Sequence, residues 1–333
     1  MGITIKDIAN VSGVSFSTVS KALNNSPLVK PETKLKIIKI AKELGYEPNF
    51  AARRLVSKET KIIGLVWPSI ERIALSTLVT KINAEIEKNN YSMILSINST
   101  KSAVEKFKRF QVDGIIIFEE NDNQIDDDSL SLKIPIISYG RCNQTSIPFI
   151  DVNYKKAMYL AVEYLYKLGH KDISYIGDFS LSDSRQTEKY EGFIEAMKQF
   201  NLQIIGPSLI NTGGLDWQSG YRATNRLLQS SKIPSAIIGG SYDISGGIIR
   251  AVTENNFIIP KDISIIGYDN IPNMGDLETP LTSIGVPVEI LANKITDSLL
   301  QLIQNPNSVP LIQKLEPELK ERISCAQVKK GLN

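Results

Sequence analysis

Apolar positions in the first 60 residues are spaced for short helices. Thr4 precedes Ile5-Lys6-Asp7-Ile8-Ala9, and a Thr followed three places later by an acid predicts a capping box opening a short helix that Gly13 ends. Ser15 predicts the cap of a second helix, Phe16 to about Leu23. At helical spacing Val19, Ala22 and Leu23 share one face of it, which leaves Phe16, Ser17, Ser20 and Lys21 outside. Two short helices about a Gly-containing turn make a helix-turn-helix. After Asn24-Asn25-Ser26-Pro27, Pro31 suits the first turn of a third helix. Leu35, Ile38, Ala41 and Leu44 recur every three residues along it, and Gly45 supplies its C-cap. Pro48 blocks continuation, and Asn49 caps Phe50 to Ser57, a basic stretch below the ~12–15 residues at which an isolated helix becomes even marginal.

From Lys61 onward the pattern alternates between apolar runs and helical stretches. Ile62-Ile63-Gly64-Leu65-Val66-Trp67, Ser92 to Ile97, Gly114 to Phe118 and Ile134 to Ser138 read as buried parallel strands, with a helix such as Leu78 to Lys88 between them. A second series follows at Ile173–Gly177, Ala236–Gly239 and Ile263–Gly267, with helices around Lys155–Leu168, Tyr190–Phe200, Gly220–Leu228 and Gly246–Glu254. Two β/α series predict two doubly wound parallel-sheet subdomains with a cleft between them, and ligands bind at the carboxyl ends of such strands. The expected fold class is therefore an all-α helix-turn-helix head plus an α/β body. There is no low-complexity region and no short tandem repeat.

Charge sharpens the division. Residues 1–60 hold ten of the 38 Lys/Arg and five of the 36 Asp/Glu, a net +5 against −3 for the rest. A basic head of that size can neutralise phosphates and release counterions from DNA. Cys142 and Cys325 are far apart and match no metal spacing, so both are expected as reduced thiols, with no metal and no cofactor. Met1-Gly2 leads into Ile3-Thr4-Ile5-Lys6-Asp7 without a cationic or apolar leader, and no apolar run approaches ~18 residues, so a cytoplasmic protein is expected. An enzyme needs a catalytic constellation. The single histidine, His170, follows Leu168-Gly169 at a helix-to-strand turn as a cap or packing residue, and no phosphate loop, zinc spacing or Gly-x-Ser-x-Gly elbow is present.

Seven stretches in order resemble the lactose/galactose repressor family over essentially the whole chain. They are Thr4–Ala9, Gly13–Lys21, Leu44–Asn49, Val112–Ile116, Leu168–His170, Ile263–Asp269 and Leu281–Ile284. The resemblance implies a sequence-specific DNA-binding regulator, acting as a homodimer on a palindromic double-stranded operator. It also implies a periplasmic-binding-protein-like body that holds a small-molecule effector, a sugar or sugar derivative. The expected division is residues 1–47 as the head and 48–60 as a hinge helix and linker. Residues 61–152 with 286–316 form one effector-binding subdomain, and 153–285 with 317–330 the other.

By match to the family, Phe16 and Ser17 read bases, Lys21 makes the next base contact, and Ser15, Thr18 and Ser20 lie near the backbone, with Thr4, Asn24, Asn49, Ala52 and Arg53 completing the DNA-contacting set. Lys21 stands where the family usually has Arg, so the charge is kept and the bidentate fork lost. Leu55 matches the leucine wedge inserted into the minor groove. In the cleft the resemblance implies Asp269, Ser69, Phe118, Arg141 and Lys189 as effector contacts, Lys189 standing where Arg is common. The family's Asn-Asp pair is here Ser241-Tyr242, with Asp243 one place later, and its Gln is Val286; the loop from Asn98 to Lys106 looks shortened. With those polar groups gone, Tyr242 is expected to wall a larger, flatter or phosphorylated ligand. The rival is a solute-binding protein of the periplasmic type, which would share the body but have no use for residues 1–60.

Overall fold

The computed structural model describes residues 3–23, 26–46, 59–118, 134–140, 147–305, 308 and 310–328. Two compact units divide the chain after Thr60. The first is a three-helix head: α1 (Ile5–Ser12), α2 (Phe16–Leu23) and α3 (Pro31–Glu43). The Asp7 carboxylate accepts from the Thr4 amide at 2.8 Å and the Thr4 hydroxyl at 2.7 Å, which closes the start of α1 and holds the Asp7 carboxyl below its ordinary range. Gly13 ends α1 at φ 71°, the left-handed conformation that glycine takes without Cβ strain. The Ser15 hydroxyl accepts from the Thr18 amide at 3.2 Å and opens α2. Ile8, Val19, Ala22, Val29, Ile37 and Ala41 form the core between the three helices.

Helix α3 starts at Pro31, as expected, but only part of its three-residue apolar repeat faces inward. Leu35 is 69% and Ile38 46% exposed, while Ile37 is fully buried and Ala41 nearly so. A strict three-residue repeat drifts around a helix with 3.6 residues per turn, so only part of such a run can face inward.

The second unit contains two six-stranded sheets. In chain order its elements begin β1 (Ile62–Val66), α4 (Ile73–Lys88), β2 (Ser92–Ser96), α5 (Thr100–Phe110), β3 (Gly114–Phe118), β4 (Ile136–Tyr139) and β5 (Phe149–Val152). The chain then builds α6 (Tyr154–Lys167), β6 (Ile173–Gly177), α7 (Ser184–Gln199), β7 (Leu209–Asn211), α8 (Trp217–Leu228), β8 (Ala236–Gly239), α9 (Tyr242–Glu254), β9 (Ser264–Asn270) and β10 (Thr282–Pro287). It returns through α10 (Val288–Gln304) and β11 (Ile312–Leu315) and ends at β12 (Glu318–Lys320). Sheet orders are β11-β5-β4-β3-β1-β2 and β12-β10-β9-β8-β6-β7, and every pairing is parallel except β10 with β12. The chain thus crosses between the sheets three times: from β5 to α6, from β10 to α10 and from β11 to β12.

Strand β3 is buried throughout, as its unbroken Gly-Ile-Ile-Ile-Phe run requires, and α10 lies against β3 and β4. Residues 98–106, expected as a shortened loop, mostly belong to α5, whose Ala103, Val104 and Phe107 are buried. The start of α7 is also corrected. The helix begins at Ser184, well before Tyr190, because Asp183 caps it by accepting from the Arg185 amide at 3.0 Å. Its first turns bury Arg185, Gln186 and Lys189, a polar face that hydrophobic periodicity does not reveal.

Candidate functional site

The cleft opens between the sheets at the carboxyl ends of β3, β4, β5 and β9. Phe118 closes β3, Tyr139 closes β4 and Asp269 lies near the end of β9, while Arg72 stands before α4 and Arg185, Gln186 and Lys189 enter from α7. Tyr154, Val286 and Val288 line the floor beside two of the chain crossings.

Aromatic rings and cations alternate in the walls. The rings of Phe118 and Trp67 lie 4.6 Å apart between centroids, and those of Phe118 and Tyr139 5.2 Å apart. The Arg185 guanidinium sits 4.5 Å over the Phe118 ring and the Lys189 ammonium 4.4 Å over the Tyr268 ring. Burial alone would disfavour the Arg185 cation, but Asp183 keeps it charged through contacts of 2.9 Å to Nε and 3.1 Å to a terminal nitrogen. The same pair holds Asp183 below its ordinary range in spite of burial. Burial lowers Lys189 to about 8, with Asp269 and Asp183 opposing the shift, and its ammonium donates to the Gly240 carbonyl at 2.7 Å. Burial likewise pushes the Tyr139 phenol up to about 12 and raises Tyr154 and Tyr268, so all three stay protonated at neutral pH.

Asp269 adopts φ 88°, and its carboxylate accepts from the Tyr242 amide at 2.9 Å. That leaves its remaining acceptor capacity facing the cleft. The Gln186 Oε1 and Arg72 Nε are buried and without hydrogen-bond partners, although both residues line the cleft. Gln186 therefore offers the cleft an acceptor, while Arg72 Nε faces the Asp243 carboxylate at 3.8 Å. Together these groups can hold a ligand rich in hydroxyls or similar polar atoms against an aromatic face. Among the described residues no group of His, Cys, Asp and Glu is arranged to hold a metal ion.

Phe118, Lys189 and Asp269, all expected from the sequence, meet in this cleft. Ser69 does not line it. Its hydroxyl accepts from the Glu71 amide at 3.1 Å and closes the turn before α4. Nor does the Tyr242 ring wall it: Tyr242 is the first residue of α9, touches Asp269 through its backbone, and lines an outer groove with Trp217 and Arg250. Arg141 lies outside the described residues. Sequence reading missed Arg72, Tyr139, Tyr154, Arg185, Gln186 and Tyr268. Arg185 was within reach, because it precedes Lys189 by four places and so shares its helix face. His170 is a packing residue: Nε2 donates to the Ala326 carbonyl at 3.0 Å, and Nδ1 lies 2.9 Å from the Ser235 hydroxyl.

On the head, Phe16 is 51% exposed, and Ser17 and Lys21 are exposed beside it on the outer face of α2. Thr18 and Ser20 are half-buried. Ser15 is exposed, with its hydroxyl 2.8 Å from that of Thr18, and the Thr4 hydroxyl is committed to Asp7. Asn24, Asn49, Ala52, Arg53 and Leu55 lie outside the described residues.

Comparison with known proteins places this architecture. Residues 4–49 match the family described as bacterial regulatory proteins, lacI family, and residues 162–325 match a periplasmic binding protein-like domain. The HTH-type transcriptional repressor PurR of Pasteurella multocida (strain Pm70) is 31% identical over 332 residues, 96% of this chain and 98% of that repressor. A crystal structure of the Lac repressor dimer bound to operator and the anti-inducer ONPF superposes with a TM-score of 0.82 at 27% identity, covering 98% of this chain and 100% of that one. A LacI family regulator from Enterococcus faecium with bound ribose gives a TM-score of 0.70 at 27% identity, covering 80% of this chain and 100% of that one.

Proposed function

This chain is a DNA-binding transcriptional regulator of the lacI family, and from that premise we propose a repressor that binds a palindromic operator as a homodimer and is controlled by a sugar or sugar derivative in the cleft. One observation carries the reading. The same chain pairs an outward-facing α2 bearing Phe16, Ser17 and Lys21 with a cleft in which Asp269, Lys189, Arg185, Gln186 and Arg72 converge on aromatic walls. A helix-turn-helix head reads only a short half-site, so two heads on a two-fold axis are needed for useful specificity.

In the head, Phe16, Ser17 and Lys21 contact base edges, and Ser15, Thr18, Ser20, Thr4 and Asn24 lie near the DNA backbone, Thr4 by holding the start of α1 through Asp7. Among the positions outside the described residues, Leu55 is assigned the minor-groove wedge, and Asn49, Ala52 and Arg53 contacts along the duplex. In the cleft, Asp269 and Lys189 grip ligand hydroxyls, Gln186 supplies an acceptor that has no hydrogen-bond partner, and Phe118 and Tyr139 pack on the ring. Support for a sugar-like effector comes from the Enterococcus faecium regulator, solved with ribose. Val286 contributes only an apolar wall, so the effector is not gripped from that side. The repressor acts in the cytoplasm without catalysis; no helix among the described residues is long and apolar enough to cross a membrane.

The test is selection of duplexes from a random library by the full chain, followed by thermal-shift screening against sugars, sugar phosphates and sugar acids. A palindromic consensus bound by two protomers, and a stabilising ligand from the panel, are expected. Recovery of unrelated sequences, or of a single asymmetric half-site, would overturn the proposal.

A further inference from the structure

We propose that Arg72 and Asp243 form a latch that holds the two subdomains together across the cleft. Arg72 immediately precedes α4 of the first subdomain, and Asp243 lies in the first turn of α9 of the second. Their closest atoms, Nε and Oδ2, are 3.8 Å apart, and the two side chains are only 23% and 15% exposed. That separation gives attraction without a hydrogen bond, and neither atom has another partner.

Helix α4 begins with no side-chain cap of its own, because Arg72 occupies the capping position and carries no acceptor. Asp243 supplies the missing negative group from the other subdomain; burial, with the nearby Asp269, raises its carboxyl to about 6, and Arg72 and the Ile73 amide oppose that shift, so it is charged at neutral pH. A second polar contact lies one turn along α4. The Thr77 hydroxyl donates to Asn273 Oδ1 at 3.4 Å, reaching the short 3-10 turn Pro272–Gly275 that follows β9. The latch therefore joins a helix start on one lip to a helix start and a turn on the other.

The pair is weakly made and can be released. It sets the ratio of closed to open forms on which any ligand must act, since a ligand shifts that ratio only by its differential affinity for the two forms. The inference rests on reading the cleft as the regulatory joint, but its test needs no effector, so failure of the latch and failure of the effector assignment remain distinguishable.

The experiment is hydrogen exchange by mass spectrometry on the full chain, comparing wild type with Arg72→Gln, Asp243→Ala and the double variant. Each single variant should speed exchange roughly three- to tenfold on the lip that it does not belong to: residues 242–247 and 270–275 for Arg72→Gln, and residues 73–78 for Asp243→Ala. Strands β3 and β8 should keep their protection. The double variant should show less than the product of the two single effects, the mark of coupled sites. If exchange rises only within each residue's own subdomain, or nowhere, the latch is refuted. Should Asp243→Ala lose protection in both sheets, Arg72→Gln alone decides by the same criterion.

Discussion

Replacing Asp269 with Asn should silence the response to effector and leave the fold and the DNA-binding head intact. The position is unusually informative because Asp269 takes φ 88°, a conformation that Asn tolerates better than most residues. The Asn carbonyl can still accept from the Tyr242 amide, which the carboxylate meets at 2.9 Å, so no buried donor is orphaned. What disappears is the negative charge facing the cleft and beside Lys189. A hydrogen bond to a charged group contributes about 1.5–3 kcal/mol, so effector affinity should fall roughly 10- to 150-fold. Lys189, already lowered to about 8 by burial, loses one of the two carboxylates that keep it charged and should fall further. Operator affinity without effector should stay within about twofold, since Asp269 lies in the second unit and the reading helix in the first. Fluorescence anisotropy with labelled operator, titrated with effector for wild type and variant, reads both quantities. If Asp269→Asn responds at the wild-type effector concentration, Asp269 is not an effector contact.

Three further outcomes are expected. A Cβ at Gly192 would lie 2.7 Å from the Lys155 Cα where α7 crosses α6, so Gly192→Ala should cost about 1–3 kcal/mol by overpacking, whereas Gly206→Ala, which meets open space, should melt within a degree or so of wild type. Burial lowers the His170 pKa, so the unfolded chain takes up a proton that the fold refuses; His170 should cost stability as pH falls through about 6.5, by no more than ~1.4 kcal/mol per pH unit. Asp243, raised to about 6 by burial, works in the opposite direction on acidification, so the test is the difference in thermal melts at pH 7.5 and 5.5 between wild type and His170→Asn, and equal pH dependence in both would remove His170 from the account. Replacing Ser17 should change the preferred base at one operator position, while replacing Arg53 should weaken all sequences alike and lower the salt slope by roughly 1; matching sequence profiles for the two variants would contradict their separate roles.

The sheets and the first two head helices were legible because their signals are local. Ile-rich runs bounded by turns mark β3, β6 and β8, and Thr4, Gly13 and Ser15 mark helix ends within a few residues of where they act. The third helix is marked by Pro31, but its three-residue apolar spacing does not show which residues are buried: Ile37 is, while Leu35 and Ile38 are exposed. In the cleft, Phe118, Lys189 and Asp269 follow strands or share helical spacing with the family pattern, and the structure brings them together. Tyr242 was misplaced because it opens α9 with its backbone amide toward Asp269, while its ring lies with Trp217 and Arg250 in another groove, a direction that residue order alone does not give. Arg72 and Arg185 were missed for a different reason. Their importance arises from partners distant in sequence: Asp243 across the opening for Arg72, and the Phe118 ring on the opposite subdomain for Arg185.

The central claim is that one chain couples operator to effector, and reciprocity tests it most directly. Operator dissociation constants would be measured with and without saturating effector, and effector dissociation constants with and without saturating operator, on the same preparation of the chain at one salt concentration. The two ratios must be equal, and a coupling of about 1–3 kcal/mol would make each roughly 5- to 150-fold. An effector that binds the chain yet leaves operator affinity unchanged would contradict the claim.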